Sequence, residues 1–196
     1  MYPDFTALSI FLFVGAFSPG PNNLLASYSG FNFGIKRTLP LICGVTFGFP
    51  ILLIVINFGL KVVFNNFPIL QEILNYLGLC FIIYLAYKIA ASKQSKQKEI
   101  KKPPIFFNML IFQFINPKAV AVAIIVVNQF VSQRENFIRD SIIVISFAIL
   151  FSFFSILLWT LLGKFLQRFA HNQNFFKFYN YLMSFLLIIC VIMLYV

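Results

Sequence analysis

The stretch Ser18-Pro19-Gly20-Pro21-Asn22-Asn23 interrupts an apolar segment that is otherwise long enough to cross a membrane. Each proline lacks an amide donor and crowds the carbonyl four residues earlier, so a helix must break here. In hydrocarbon, the freed backbone groups are tolerated only where they are buried in protein or line a water-filled cavity. A second apolar segment is interrupted in the same way at Asn116-Pro117-Lys118. Two interrupted segments at corresponding places in two halves point to the binding site of a transporter.

The composition indicates a membrane protein. Of the 196 residues, 61% are apolar and only 10% are charged, which excludes a soluble domain and a disordered chain. The net charge of +10 does not indicate a nucleic-acid partner, because the basic residues lie in short loops between apolar runs, where they report membrane orientation. Cys43, Cys80 and Cys190 each lie alone in an apolar run, so we expect no metal site and no cofactor.

Six apolar spans are predicted from a requirement of about twenty residues per crossing. We expect an all-α membrane protein with a single domain over residues 1–196, whose first and fourth spans are broken at the proline motifs. Three spans in each half is an odd number, so a second copy of the unit must enter the membrane inverted. We therefore predict inverted three-helix repeats at about residues 1–91 and 104–196, joined by a basic cytoplasmic linker at residues 92–103. The spans cover about residues 5–33, 39–63, 69–90, 105–131, 141–162 and 178–196.

The basic residues of the loops predict the orientation. If the lysine-rich linker is cytoplasmic, the loops between spans 1 and 2 and between spans 5 and 6 are cytoplasmic as well. The opposite loops hold only Lys61, Arg134 and Arg139, and Lys118 lies within a span. Since cytoplasmic loops carry the excess of lysine and arginine, we expect both termini to lie outside the cytoplasm. The basic residues on the predicted cytoplasmic side are Lys36, Arg37, Lys88, Lys93, Lys96, Lys98, Lys101, Lys102, Lys164, Arg168 and Lys177.

Polar side chains cluster around both breaks and predict a binding site for a small zwitterion. Free amides at the start of the second half of each broken helix favour an anion. Lys118 would add a positive charge for a carboxylate, and asparagine carbonyls would accept hydrogen bonds from an ammonium group. The predicted substrate site comprises Ser18, Pro19, Gly20, Pro21, Asn22, Asn23, Gln113, Asn116, Pro117 and Lys118.

Two alternatives remain open for this cluster. A lysine near the bilayer centre costs about 2.5–3.5 kcal/mol, which makes Lys118 a functional candidate unless its side chain extends to the membrane surface. The polar groups could also serve only to satisfy one another and the freed backbone.

The acidic residues argue against an enzyme. They are Asp4, Glu72, Glu99, Glu135 and Asp140, and all lie at or outside the ends of the predicted spans. A carboxylate proton relay, a metal-cation site and a two-carboxylate hydrolase within the membrane all need an acid inside a span. The spans also hold no serine–histidine or paired-histidine arrangement, since the single histidine is His171. We expect no catalytic residues.

The motifs resemble those of a known family. Ser18-Pro19-Gly20-Pro21-Asn22-Asn23-Leu24-Leu25, followed by Gly34, Gly44 and Gly48, is similar to the amino-terminal signature of the LysE family of amino-acid exporters. Asn116-Pro117-Lys118-Ala119 resembles the second signature of that family. Other stretches look most like its cysteine and O-acetylserine exporter branch: Tyr84-Leu85-Ala86-Tyr87-Lys88-Ile89-Ala90, Phe112-Gln113-Phe114-Ile115-Asn116, and Trp159 through Gly163 to Arg168.

The resemblance covers nearly the whole chain, with two departures. Many family members carry an aspartate just after the second glycine of span 2, where this chain has Phe49-Pro50 after Gly48. Members often have a proline before the glutamine–phenylalanine pair that ends span 4, where this chain has Asn128. The resemblance implies an efflux carrier of the bacterial cytoplasmic (inner) membrane, driven by the proton gradient.

Together these observations predict a secondary transporter that exports small neutral amino acids, similar to cysteine or O-acetylserine, by alternating access. An exporter of basic or homoserine/threonine-type amino acids is the alternative within transport. A channel-like or accessory membrane subunit without coupled transport is the alternative outside it. The expected partners are the amino-acid substrate and the lipid bilayer, and a homodimer is one possible assembly.

Overall fold

The computed structural model describes residues 4–91, 105–132 and 136–193, and all the regular secondary structure in these ranges is helical. The all-α prediction is therefore confirmed, while the predicted linker at residues 92–103 lies outside the described residues. A π-helical segment, Ile56–Leu60, follows α2, and a 3-10 turn, Gln167–Phe169, follows α7. The helices are α1 (Phe5–Phe17), α2 (Pro21–Val55), α3 (Lys61–Asn66), α4 (Pro68–Ala90), α5 (Phe106–Ile115), α6 (Pro117–Phe130), α7 (Phe137–Leu166) and α8 (Gln173–Met193).

Caps and prolines set where the helices next to the breaks begin. The carboxylate of Asp4 caps α1 by accepting hydrogen bonds from the amides of Thr6, at 2.9 Å, and Ala7, at 3.0 Å. Helices α2 and α6 each begin with a proline, Pro21 and Pro117, at the position where a missing amide leaves no intrahelical acceptor unpaired. Both breaks thus lie at the prolines that the sequence indicated.

The long helix α2 reverses direction at Gly34. This glycine has φ 74° and ψ 173°, a left-handed conformation that L side chains rarely adopt. Ser29 and Thr38 would lie about 13 Å apart along a straight helix, yet their hydroxyl groups are hydrogen-bonded at 2.9 Å. The chain must therefore fold back between them, and α2 consists of two parts, residues 21–33 and residues 35–55.

Four stretches in the described part of the chain are long and apolar enough to cross a membrane: Pro21–Gly59, Pro68–Ala90, Phe137–Phe169 and Gln173–Ile192. Helices α5 and α6 pass the same test as a pair that is bent by 67°, and α1 is a shorter apolar helix. This count of four or five differs from the predicted six because the first predicted span is divided between α1 and α2. The stretch Pro21–Gly59 contains the second part of the first predicted span and, after Gly34, the second predicted span.

Glycines let the helices approach one another closely. A Cβ on Gly163 of α7 would lie 1.9 Å from the backbone oxygen of Ser27, and one on Gly30 would lie 2.2 Å from that of Thr160. On the second part of α2, a Cβ on Gly44 would lie 2.6 Å from the backbone oxygen of Phe106 at the start of α5. Small residues at such contacts are the usual means of close helix packing in membranes. They fix α7 and α5 against the two parts of α2.

Candidate functional site

The first break, residues 18–20, leaves the last carbonyl groups of α1 without helical partners, and side chains from other helices bind them. Asn23 Nδ2 donates to the backbone oxygens of Ala16, at 2.6 Å, and Ser18, at 2.9 Å. From α7, Ser155 Oγ donates to the Ala16 oxygen at 2.7 Å and Trp159 Nε1 donates to the Phe17 oxygen at 3.3 Å. The freed carbonyls are thus satisfied within the protein, as an irregular segment at membrane depth requires.

Lys118, the second residue of α6, reaches across to the same carbonyl end of α1. Its Nζ donates to Ser18 Oγ at 2.8 Å, to the Ser18 backbone oxygen at 3.0 Å and to the Pro19 backbone oxygen at 3.3 Å. An ammonium group has three donors, so these contacts use all of them. A Cβ on Gly20 would lie 2.8 Å from this Nζ, so a glycine at that position makes room for the lysine.

An amide pair joins the first break to the end of α5. Asn22 Nδ2 donates to Gln113 Oε1 at 2.8 Å, and Gln113 Nε2 donates back to Asn22 Oδ1 at 3.2 Å. Gln113 is fully buried and also donates to the backbone oxygen of Met109 at 2.8 Å. Together with Lys118, this pair brings the two broken helices into direct contact.

A cavity of ≈ 60 Å³ lies between the two breaks and α7. One water needs about 10–15 Å³ of such volume, so the cavity has room for several waters or a small solute. Asn116 Oδ1 is buried and has no hydrogen-bond partner among the described residues. No acidic side chain of the described chain lines the cavity. The polar side chains that do line it belong to Asn22, Asn23, Asn116, Lys118, Ser152 and Ser155.

The residues of the predicted site hold different positions around this cavity. Gly20, Pro21, Asn22, Asn23, Asn116 and Lys118 line it. Ser18 and Pro19 bind the Lys118 ammonium, and Gln113 binds Asn22. Pro117 instead faces α4, where a Cβ on Gly78 would lie 2.9 Å from its Cδ.

The sequence interpretation missed the contribution of α7. Ser152 and Ser155 line the cavity and Trp159 binds the end of α1, yet none was predicted as a site residue. Ser152 and Ser155 are three residues apart within the otherwise apolar stretch 147–158 and so share one helix face, which was the available signal.

An all-α membrane protein in which two broken helices meet at a cavity with polar side chains in its wall has the architecture of a transporter. The family comparison agrees with this class, because the model of the LysE type translocator family matches residues 13–196. The chain belongs to the LysE family, whose members are transporters and not enzymes.

Curated relatives carry the same kind of name. The cysteine/O-acetylserine efflux proteins of Salmonella paratyphi A and Salmonella typhi are 27% identical to this chain over 190 residues. That of Escherichia coli K12 is 26% identical over the same length. Each alignment covers 95% of this chain and 95% of the relative. No solved structure matches the chain.

Proposed function

We propose that the protein is a secondary carrier that exports small neutral amino acids, of the cysteine or O-acetylserine kind, from the bacterial cytoplasm by alternating access. The observation that supports this most is the cavity shared by both breaks, which holds one lysine and a buried acceptor, Asn116 Oδ1, that has no partner among the described residues. The names of the relatives point to the same substrates.

The charges around the cavity favour a neutral amino acid over a basic one. Helices α2 and α6 begin beside the cavity, and a helix N-terminus favours an anion such as a carboxylate. Lys118 already supplies a positive charge, and no acid of the described chain lines the cavity. A lysine or arginine substrate would bring a further positive charge without a partner, which is unfavourable away from water.

The proposed fold has six spans in two inverted repeats, and one chain reversal and two helix contacts support it. The reversal at Gly34 divides Pro21–Gly59 into residues 21–33, which form the second part of the first broken span, and residues 35–59, which are long enough for a second span. Helix α1 packs against α7, and α5 packs against α2, where Gly44 and Gly48 lie in the second part. In both repeats, the first part of the broken span packs on the second span of the other repeat. The two halves of the chain therefore make the same kind of contact with each other. Both termini are proposed to lie outside the cytoplasm.

The test is an efflux panel. Cells that overproduce the protein are loaded with single amino acids, and growth and extracellular accumulation are measured. We expect enhanced efflux of L-cysteine or O-acetyl-L-serine and none of L-arginine or L-lysine. In proteoliposomes, the efflux should saturate and should respond to an imposed pH gradient. Efflux that rises linearly with substrate concentration and does not respond to the pH gradient would instead indicate a channel-like or accessory protein.

Asn116→Ala tests the site assignment in the same assay. The substitution removes the unpaired acceptor, which should weaken apparent affinity by about ten- to hundredfold if it binds the charged ammonium of the substrate. The matched control is Asn32→Ala. Asn32 lies on α2 and donates to the Tyr28 backbone oxygen at 2.9 Å, away from the residues that line the cavity. Equal affinities of the two variants at equal abundance would contradict the assignment.

A further inference from the structure

We propose that Lys118 is a tethered ammonium that occupies, in the empty carrier, the position taken by the ammonium of the substrate, and that substrate entry displaces its proton. This inference rests on the proposed export of amino acids. It assigns to one residue the exchange of one proton for one substrate molecule.

The position of Nζ supports binding of a cation and not of a carboxylate. Three oxygens surround it: the Ser18 hydroxyl, the Ser18 carbonyl and the Pro19 carbonyl. They lie at the carboxyl end of α1, which is the negative end of the helix dipole. Discontinuous membrane helices use such unwound carbonyls and half-helix ends to coordinate a coupling cation. A carboxylate that approached Nζ would face these oxygens and would find no free donor on the ammonium.

One region of the cavity favours an anion and another favours a cation. The amide ends of α2 and α6 begin at Pro21 and Pro117 and favour the carboxylate of a zwitterion. The carbonyl end of α1 and the unpartnered Asn116 Oδ1 favour its ammonium. Lys118 already occupies the region that favours an ammonium group. A bound zwitterion would therefore place its ammonium beside the charged Lys118 ammonium in one small cavity.

The described surroundings provide no acid that would offset the second charge. Helices α1, α2, α6 and α7 contribute no acid, histidine, arginine or tyrosine to the cavity lining. From α8, Cys190 is the titratable side chain that interacts electrostatically with Lys118. Because like charges repel strongly away from water, the substrate ammonium and the Lys118 proton exclude one another.

The transport cycle then balances in protons and charge. When the zwitterion enters from the cytoplasm, the Lys118 ammonium releases one proton to cytoplasmic water and becomes a neutral amine. After the cavity opens outward, the zwitterion leaves and the amine takes one proton from the outer water. Each turn moves one amino acid out and one proton in, so both the pH gradient and the membrane potential drive export.

The test compares the wild type, Lys118→Met and a control, Lys36→Met, at an exposed lysine beside Gly34. Binding and exchange of radiolabelled, reduced L-cysteine are measured in proteoliposomes between about pH 6 and about pH 8. The wild type should bind more tightly as the pH rises, by up to about tenfold per pH unit, because protons compete with the substrate. Lys118→Met should bind with a pH-independent affinity and retain exchange, but it should lose uphill transport in a pH gradient.

Proton release gives a second readout in weakly buffered detergent solution. The wild type and Lys36→Met should release about one proton per bound cysteine and Lys118→Met none. If Lys118 instead binds the carboxylate, wild-type affinity falls as the pH rises, Lys118→Met binds more weakly at every pH, and the proposal is overturned. Gradient-driven uphill transport by Lys118→Met also overturns it. Absence of exchange and of coupled transport in the wild type, for every amino acid of the panel, would refute the proposed function itself.

Gly20→Ala tests the same position without removing the lysine. The backbone at Gly20 is extended, with φ −171° and ψ 171°, so alanine fits the conformation. Its Cβ would lie 2.8 Å from Nζ and 2.9 Å from Cδ of Lys118, which pushes the ammonium away from the carbonyls. We expect tighter cysteine binding at low pH and a flatter pH profile. An unchanged profile would show that the position of Nζ does not control binding.

Discussion

The side-chain amides of Asn22 and Gln113 join the first break to the end of α5, and the strength of this pair can be measured. Asn22→Ala leaves Gln113 Oε1 buried without its donor, which should destabilise the protein by about 1–3 kcal/mol. Adding Gln113→Leu should recover part of that loss, because the unpaired amide is then gone. Thermal unfolding of both single variants and the double variant in detergent gives the coupling energy.

Asn32→Ala serves as the control for this cycle. Asn32 also lies on α2, but its amide donates to the Tyr28 backbone oxygen and has no contact with Gln113. Its effect should add to that of Gln113→Leu within about 0.5 kcal/mol. If the effects of Asn22→Ala and Gln113→Leu on stability also add within this margin, the amide pair does not hold the two breaks together.

The sequence located most of the candidate site but not the partners within it. Proline chemistry is local, so both breaks and the polar residues beside them could be predicted. Which carbonyl accepts from Lys118 depends on how α6 packs against α1, and no sequence spacing encodes that contact. Asp140 shows the same limit: its place at a span end was predicted, but its complete burial follows from packing around the first turn of α7.

Helix packing in this protein depends on glycines at contacts between elements. In Gly163→Ala, the new methyl group would lie 1.9 Å from the Ser27 backbone oxygen, and a backbone atom cannot rotate away. We expect α2 and α7 to separate and stability to fall by about 1–3 kcal/mol, measured as thermal unfolding in detergent. Gly59→Ala is the matched control, because no atom of the described residues lies within 4 Å of its Cβ position. Equal stability of the two variants would contradict the packing argument.

Helix boundaries were predicted less well than helix positions. The hydropathy pattern placed the start of the sixth span near residue 178, whereas α8 begins at Gln173. The reason is a cap: Asn172 Oδ1 accepts from the amides of Asn174, at 2.9 Å, and Phe175, at 3.2 Å. The turn between the first two spans was expected at Lys36-Arg37. The structure places it two residues earlier, because only glycine adopts the conformation of Gly34 readily.

For the whole chain, the distribution of basic residues and the reversal at Gly34 predict which surface of the membrane each turn faces. Cys43, Cys80 and Cys190 are replaced by serine, and single cysteines are introduced at Lys36, Asn66, Asn136 or His171, all exposed. Intact cells are treated with a membrane-impermeant maleimide. Asn66→Cys and Asn136→Cys should be labelled, whereas Lys36→Cys and His171→Cys should be labelled only after the cells are opened.

The labelling pattern separates the possible folds because each makes a different demand on α2. If residues 21–59 crossed the membrane once, as a straight helix of about 58 Å, position 36 would lie within the hydrocarbon core of about 30 Å and would resist the reagent even in opened cells. If the chain reverses at Gly34, position 36 faces the cytoplasm and position 66 faces the outside, with one crossing between them. Labelling of His171→Cys in intact cells would show that the orientation is opposite to the one proposed. Labelling of positions 36 and 66 from the same side would contradict the six-span fold, and with it the inverted repeat that relates the two breaks.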